Sequence, residues 1–180
     1  MDLRVQKTKN SILDAFIELR SEKPLEKITV KELADRARIS KQTFYLHYKD
    51  IYDLSEQLEQ ELVKSLVDGL THHEHLLEHS KEATLELFHA AATQSTLFRT
   101  VFSGSRASAL TEGLEREIKK IIIANNPEVE HDLKANICLT ILIHGCYLAY
   151  QKYSAGAPEE VAQILSEISG EITARCQSEM

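Results

Sequence analysis

Helix-breaking residues are scarce in this chain, with six glycines and three prolines among 180 residues. So little punctuation, with no repeat and no low-complexity stretch, leaves room for long helices and argues against the many tight turns of a sheet protein. No segment reads as a credible strand, and the expected class is all-α. Cysteine is equally sparse. Cys138, Cys146 and Cys176 form no ligand-spaced motif, and two of them lie inside an apolar helix, so buried reduced thiols are expected, as in a reducing cytoplasm. The opening MDLRVQKTKN is polar and has no signal-peptide core. Catalytic signatures are also missing: there is no nucleophile elbow, no phosphate-cradling glycine loop and no paired-acid motif, and Gly104 after Phe102-Ser103 fits a helix stop. These absences point away from an enzyme, and neither a cofactor nor a membrane is expected.

What the chain does have is charge, unevenly divided. Residues 1–52 hold eleven Lys and Arg against eight Asp and Glu, whereas residues 53–180 hold ten against twenty, within a net charge of −7. An acidic protein with a pI near 5.6 is a poor nonspecific binder of nucleic acid, so any affinity for phosphate is concentrated in the first part and doubled by dimerisation. The division expected is a domain at 1–52 and a helical domain at 53–180.

The run TVKELADRARISKQTFYLHYKDIYD, residues 29–53, reads as two short helices joined by a tight turn. Thr29 stands where an N-cap belongs and Glu32 follows three residues later, the spacing of a capping box. Val30, Leu33, Ala34 and Ala37 then repeat at i, i+3, i+4 and i+7, one narrow apolar stripe on a charged segment. Ser40 is a second N-cap, and Phe44 and Tyr48 recur on one side of the helix it opens. Gln42 and Leu46 point away from Phe44, with Thr43 and Tyr45 on the flanks. A short second helix with such a face has the helix-turn-helix geometry, whose dimensions match the major groove of B-DNA.

The string Leu33-Ala34, Ala37, Ile39-Ser40, Thr43-Phe44-Tyr45, His47-Tyr48 and Asp50 resembles the DNA-binding domain of the TetR family of bacterial transcriptional regulators, over roughly Lys7 to Leu58. The resemblance implies an N-terminal three-helix helix-turn-helix domain followed by a C-terminal helical ligand-binding and dimerisation domain, about nine helices in all. It implies a sequence-specific DNA-binding regulator: a repressor released from an inverted-repeat operator by a small-molecule effector. Gln42, Thr43 and Leu46 are the expected base contacts. Thr29, Tyr45, His47, Lys41 and Lys49 are the expected phosphate contacts, and Arg4, Lys7 and Lys9 form a basic arm that either adds minor-groove or phosphate contacts or is disordered. Two positions depart from the family pattern. Arg38 stands where the family usually has Gly in a left-handed turn, at a cost of about 1 kcal/mol, and Ile51 replaces the Lys that commonly follows the Asp opening the fourth helix.

Periodicity and caps place the remaining helices. The first, with Ile12, Ala15, Phe16 and Leu19 on one face, stops before Pro24; the fourth runs from Asp50 to about Gly69 with Leu54, Leu58, Leu62 and Leu66 along one side. Further helices are expected at Ser80 to about Gln94, Thr96 to Phe102, Ser105 to Ala124, Glu128 to Tyr153 and Pro158 to about Cys176. Residues 135–150 are apolar nearly all round, interrupted by Asn136, Thr140 and His144. A membrane span needs about twenty apolar residues, so a helix buried on two sides is the expectation. With Val161, Ile164, Leu165, Ile168 and Ile172 repeating at helical spacing on the ninth helix, two copies of the pair would close a four-helix bundle. The expected homodimer interface comprises Ile141, Gly145, Leu148, Val161, Ile164, Leu165 and Ile168.

Two ways of controlling such a regulator can be weighed. In the family's architecture helices four to eight enclose an effector cavity, and Phe88, His89, Phe98, Phe102, His144 and Tyr147 are the candidates to line it, each of which also reads as an ordinary core residue. The segment THHEHLLEHS offers His72, His75 and His79, with the last two at a metal-gripping i, i+4 spacing, although a polar connector is the simpler reading. Control by a protein partner is a third alternative. The expectation is effector control with no metal, in the cytoplasm.

Overall fold

The computed structural model describes residues 3–93 and 95–177, and all regular structure among them is helical. Nine α-helices follow in order: α1 Leu3–Glu22, α2 Val30–Arg36, α3 Lys41–Tyr45, α4 Ile51–Asp68, α5 Ser80–Thr93, α6 Ser95–Val101, α7 Ala109–Asn125, α8 Leu133–Tyr153 and α9 Pro158–Gln177. The all-α class is as expected. The end expected for α5 at Gln94 lies outside the described residues. Arg4, Lys7 and Lys9 belong to α1, so the basic arm is helical. The start of α8 moves from the expected Glu128 to Leu133 because Asp132 is the N-cap and accepts the Ala135 N–H at 3.1 Å, leaving Pro127–His131 as a separate 3-10 turn. The start of α7 likewise falls back to Ala109, after a short 3-10 turn at Gly104–Arg106 that Gly104 enters at φ 60°.

The chain divides into two compact units, Met1–Glu61 with Ser95–Ala109, and Leu62–Gln94 with Leu110–Met180. The first compact unit is therefore larger than the 1–52 segment and includes α6. Its core is the apolar face of α1, with Ile12, Phe16 and Leu19 fully buried, closed by Leu33, Phe44 and Leu54. α1 packs on α2 and α6, and α2 on α3. A polar network ties the α6 segment in. The Arg20 guanidinium, 6% exposed, donates to the Val101 carbonyl at 3.2 Å and to Ser103 Oγ at 2.9 Å. Arg106 Nε donates to the buried Glu59 at 2.9 Å, and Ser105 donates to Glu26. Such pairs fix geometry more than they add stability.

In the second unit α9 packs on α5 and α8. The face of α9 buried within the chain is Ala162, Leu165, Ser166, Ser169 and Thr173, and of the residues expected at a dimer contact it takes in Leu165. Small residues bring the helices close, so that Ser169 Oγ accepts from Thr84 Oγ1 at 2.9 Å and Gly170 leaves room for Lys81. Ile164 and Ile168 stay exposed as a result, whereas Leu165 is 8% exposed and already packed inside this unit. In the single chain Leu139 is the one buried residue of α8 among those described, and the burial expected on its second side depends on a partner copy. α8 is also the one described helix long and apolar enough to cross a membrane by length and composition.

The polar interruptions of α8 have local partners. Asn136 Nδ2 donates to the Val129 carbonyl at 2.9 Å and the Asp132 carbonyl at 2.8 Å, closing the preceding turn. Thr140 and His144, one and two turns on, both meet Glu115 of α7 at 2.7 and 2.9 Å. The expectation of three buried reduced thiols is also corrected: Cys138 of α8 and Cys176 of α9 form a disulfide, and Cys146 is free. The sequence spacing of 38 residues hid a proximity created by the antiparallel return of α9.

Candidate nucleic-acid interface

The helix-turn-helix is built from caps. Thr29 Oγ1 accepts the Glu32 N–H at 3.3 Å, the first half of the expected capping box. The Glu32 carboxylate does not close the second half, since it binds Lys23 Nζ at 2.5 and 2.6 Å and so fastens α2 to the end of α1. α2 ends in a Schellman arrangement: Ile39 N–H donates to the Ala34 carbonyl at 3.0 Å, Arg38 N–H to the Asp35 carbonyl at 3.3 Å, and Arg38 sits between them at φ 56°. Arg38 thus holds the left-handed position expected of it, and the chain turns sharply into Ser40.

Ser40 Oγ accepts the Thr43 N–H at 3.0 Å and lies 2.9 Å from the Thr43 hydroxyl. Thr43 is therefore committed to the cap as well as flanking the groove-facing side. Phe44 and Tyr48 are buried, their rings 5.7 Å apart, and hold the short helix down on its inner side. Opposite them, Gln42, Tyr45 and Leu46 are exposed, Leu46 at 78%, as are Lys41 and Lys49. His47 is half-buried with its ring beside Tyr48. Lys41, Gln42, Tyr45, Leu46 and Lys49 are thus exposed residues of α3 and of the turn that follows it, whereas the expected contact Thr29 caps α2. An apolar side chain as exposed as Leu46 has no packing role within the chain, which makes it a candidate for apolar contact such as a thymine methyl.

α4 begins beside this surface with a reciprocal cap. Asp50 Oδ1 accepts the Asp53 N–H at 2.8 Å, and Asp53 Oδ2 accepts the Lys49 N–H at 2.8 Å. That backbone bond, with a second from Gln57, holds the Asp53 carboxyl below its usual range. Burial pushes the Tyr48 phenol up, with Glu61 and Asp53 adding to it. Several of the basic residues counted in residues 1–52 are consumed internally: Arg36 binds Glu22 at 2.5 Å, Lys23 binds Glu32, and Arg20 is buried. Charge counting alone gave no sign that these cations are paired.

Residues 12–58 match the family described as bacterial regulatory proteins, tetR family. Over those residues the chain carries that family's DNA-binding domain. A stretch of 78 residues is 31% identical to an uncharacterised HTH-type transcriptional regulator, YxbF, of Bacillus subtilis strain 168, covering 41% of this chain and 20% of that protein. The chain thus spans about a fifth of the length of that relative. The fold is similar to that of the TetR family repressor AlkX from Dietzia sp. strain DQ12-45-1b, described as implicated in biodegradation of n-alkanes, with a TM-score of 0.57 over 93% of this chain and 97% of that one at 17% identity. At that identity the likeness concerns the fold.

The candidates outside the helix-turn-helix are divided between the two units. Phe98 and Phe102 lie in the first unit, buried against each other at 5.5 Å. The other four belong to the second unit, where Phe88 stacks on Tyr150 at 4.4 Å, exposed His89 meets Glu159 at 3.0 Å, His144 is held by Glu115, and Tyr147 accepts from Gln151 at 2.6 Å. Of the histidine run, His72 and His79 stack ring on ring at 4.1 Å and His75 stands 3.8 Å from Glu78. Among the described residues no group of three or more His, Cys, Asp or Glu side chains is placed to hold a metal ion.

Proposed function

We propose that this chain is a sequence-specific DNA-binding transcriptional regulator of the cytoplasm, in which residues 1–52 read DNA and residues 53–180 dimerise and regulate. The observation that carries this reading is the α3 surface, where Gln42, Tyr45 and Leu46 stand in solvent on a helix locked from below by Phe44 and Tyr48. In this reading Gln42 pairs with an adenine edge, Leu46 meets thymine methyls and Thr43 flanks them, while Thr29, Lys41, Tyr45, His47 and Lys49 take phosphate and fix register. Two copies bring two heads to an inverted repeat. Ile141, Gly145 and Leu148 of α8 with Val161, Ile164 and Ile168 of α9 supply the contact, and Leu165 supports it from inside. The fold shared with a protein described as a repressor supports repression, and release by a small-molecule effector in the second unit completes the reading. Phe88, His89, His144 and Tyr147 are where that effector would be sought.

Selection of binding sites from a random duplex pool, followed by titration at several salt concentrations, tests the proposal. The expected product is an inverted repeat with half-sites about 34–36 Å apart. Gln42→Ala relaxes preference at one position per half-site by roughly 1–3 kcal/mol, and Lys49→Ala weakens all sites evenly and lowers the salt slope by about one. A pool that is never enriched, or equal losses on every sequence for both variants, would sink the assignment.

A further inference from the structure

The disulfide is out of place in a protein that works on DNA in the cytoplasm. Cytosolic thiols are kept reduced, and the disulfides that do form there are mostly transient and redox-sensing. Cys138 and Cys176 are nevertheless paired, and three features set the pair apart from a static clip. Both are half-buried and line a small cavity with Leu77, Val129, Leu139 and Thr173, with free space for about one water-sized molecule. The third cysteine, Cys146, stays unbonded two turns along the same helix, and burial pushes its thiol up, so it does not compete for oxidant as a thiolate. At 100° per residue, Cys138 falls between the exposed Ile137 and Ile141 on one side and the cavity-lining Ala135, Leu139 and Leu142 on the other. The bond therefore fastens the first turns of α8 to the last turn of α9 at the border of the apolar surface that both helices expose.

We propose that Cys138 and Cys176 form a reversible thiol–disulfide switch, closed by a small hydroperoxide and reopened by glutathione, that sets α8 against α9 and thereby the strength of the dimer. On closure, one cysteine thiolate attacks a peroxide oxygen, the O–O bond breaks, and a sulfenic acid forms with release of one water or alcohol. The second thiolate attacks the sulfenic sulfur and expels water, so two thiols give up two electrons and two protons and the peroxide is reduced. On opening, two glutathione thiols replace the bond by exchange, returning two protein thiols and one oxidised glutathione. The bonded form holds Ile137 and Ile141 of α8 and Ile164 and Ile168 of α9 as one surface. The open form lets the end of α9 move and loosens it. The links to the dimer and to DNA rest on the function proposed above, whereas the thiol chemistry is read out on the chain itself.

The test uses the full chain. Maleimide labelling read by mass spectrometry should count three reactive cysteines after millimolar glutathione under denaturing labelling and one, Cys146, after hydrogen peroxide, over repeated cycles. Sedimentation should show the dimer weakening by about tenfold on reduction, within the usual range of coupling between sites. Cys138→Ser should behave as the reduced form in both conditions with unchanged helical circular dichroism, and Cys146→Ser should keep the switch. A bond that resists glutathione, oxidation that instead joins two chains through Cys146, or a dimer equally strong in both states would overturn the proposal. Reversible labelling and a redox-dependent dimer, with no DNA affinity in either state, would support the switch and remove the DNA-binding reading alone.

Discussion

Arg38 carries a backbone conformation that its own side chain penalises. At φ 56° its Cβ crowds the following carbonyl, a clash that glycine avoids, and the Schellman bonds through Ile39 and Arg38 hold it there. Arg38→Gly should therefore raise the free energy of unfolding by about 0.5–1 kcal/mol, part of the gain being lost to the greater freedom of the unfolded chain. Arg38→Val should lower it, because a β-branched residue is worse at positive φ. Denaturant midpoints of the three proteins check both signs, and a stabilised valine variant would mean that the turn is not left-handed. The same residue shows what sequence reading can reach. The turn was legible because Ala37, Ile39 and Ser40 bracket it with a stripe end and a cap, and the family pattern marked the missing glycine. Arg20 and Glu59 were not legible, since an ordinary arginine and glutamate on helices read as solvated charges. Only the return of residues 95–109 to the first unit supplies the Val101 and Ser103 carbonyls and the Arg106 guanidinium that make their burial tolerable.

At the scale of elements, the helix starts at Thr29, Ser40 and Asp50 were readable to within a residue, because each cap is a local hydrogen bond. Which face of a helix is buried was less readable. The apolar stripe of α9 was expected to meet a second copy, and its periodicity alone gave no sign that the chain's own contact is a face of small residues packed on α5. The polar interruptions of α8 were legible as positions and not as partners, and Glu115 gives them a measurable consequence. Burial alone would raise its carboxyl, yet hydrogen bonds from Lys119, Thr140 and His144, with the charge of Lys119, outweigh this and hold it at about 2 against an ordinary 4.5. A depressed folded-state value means that the ionised pair contributes fully above about pH 4.5 and is lost as pH falls toward 2. Denaturant midpoints measured down that range should fall more steeply for the native chain than for Glu115→Gln, and the two should converge at the acid end. Parallel curves would show that Glu115 does not couple α7 to α8.

For the whole molecule the deciding feature is the apolar surface left on α8 and α9 of a single chain. Ile141 and Leu148 are 57% and 63% exposed, and Ile164 and Ile168 are 48% and 42% exposed. Contiguous apolar surface of this kind is uncommon on a chain that works alone and marks a contact with another surface. In the function proposed above that surface is a second copy, since two heads on one duplex convert the second binding event into an intramolecular one. Ile168→Asp places a carboxylate where no partner is available to pair it, which costs far more in an apolar interface than in water. Since Ile168 is exposed in the isolated chain, the variant should stay helical and sediment as a monomer of 20.4 kDa while the native chain sediments at twice that mass. On the selected inverted repeat it should lose most of its affinity and, with one head in place of two, about half of its dependence on salt, because the slope counts the phosphates neutralised together. A native chain that is monomeric at micromolar concentration, or a dimer that survives Asp at both 164 and 168, would refute the α8 and α9 interface and with it the two-headed reading of DNA.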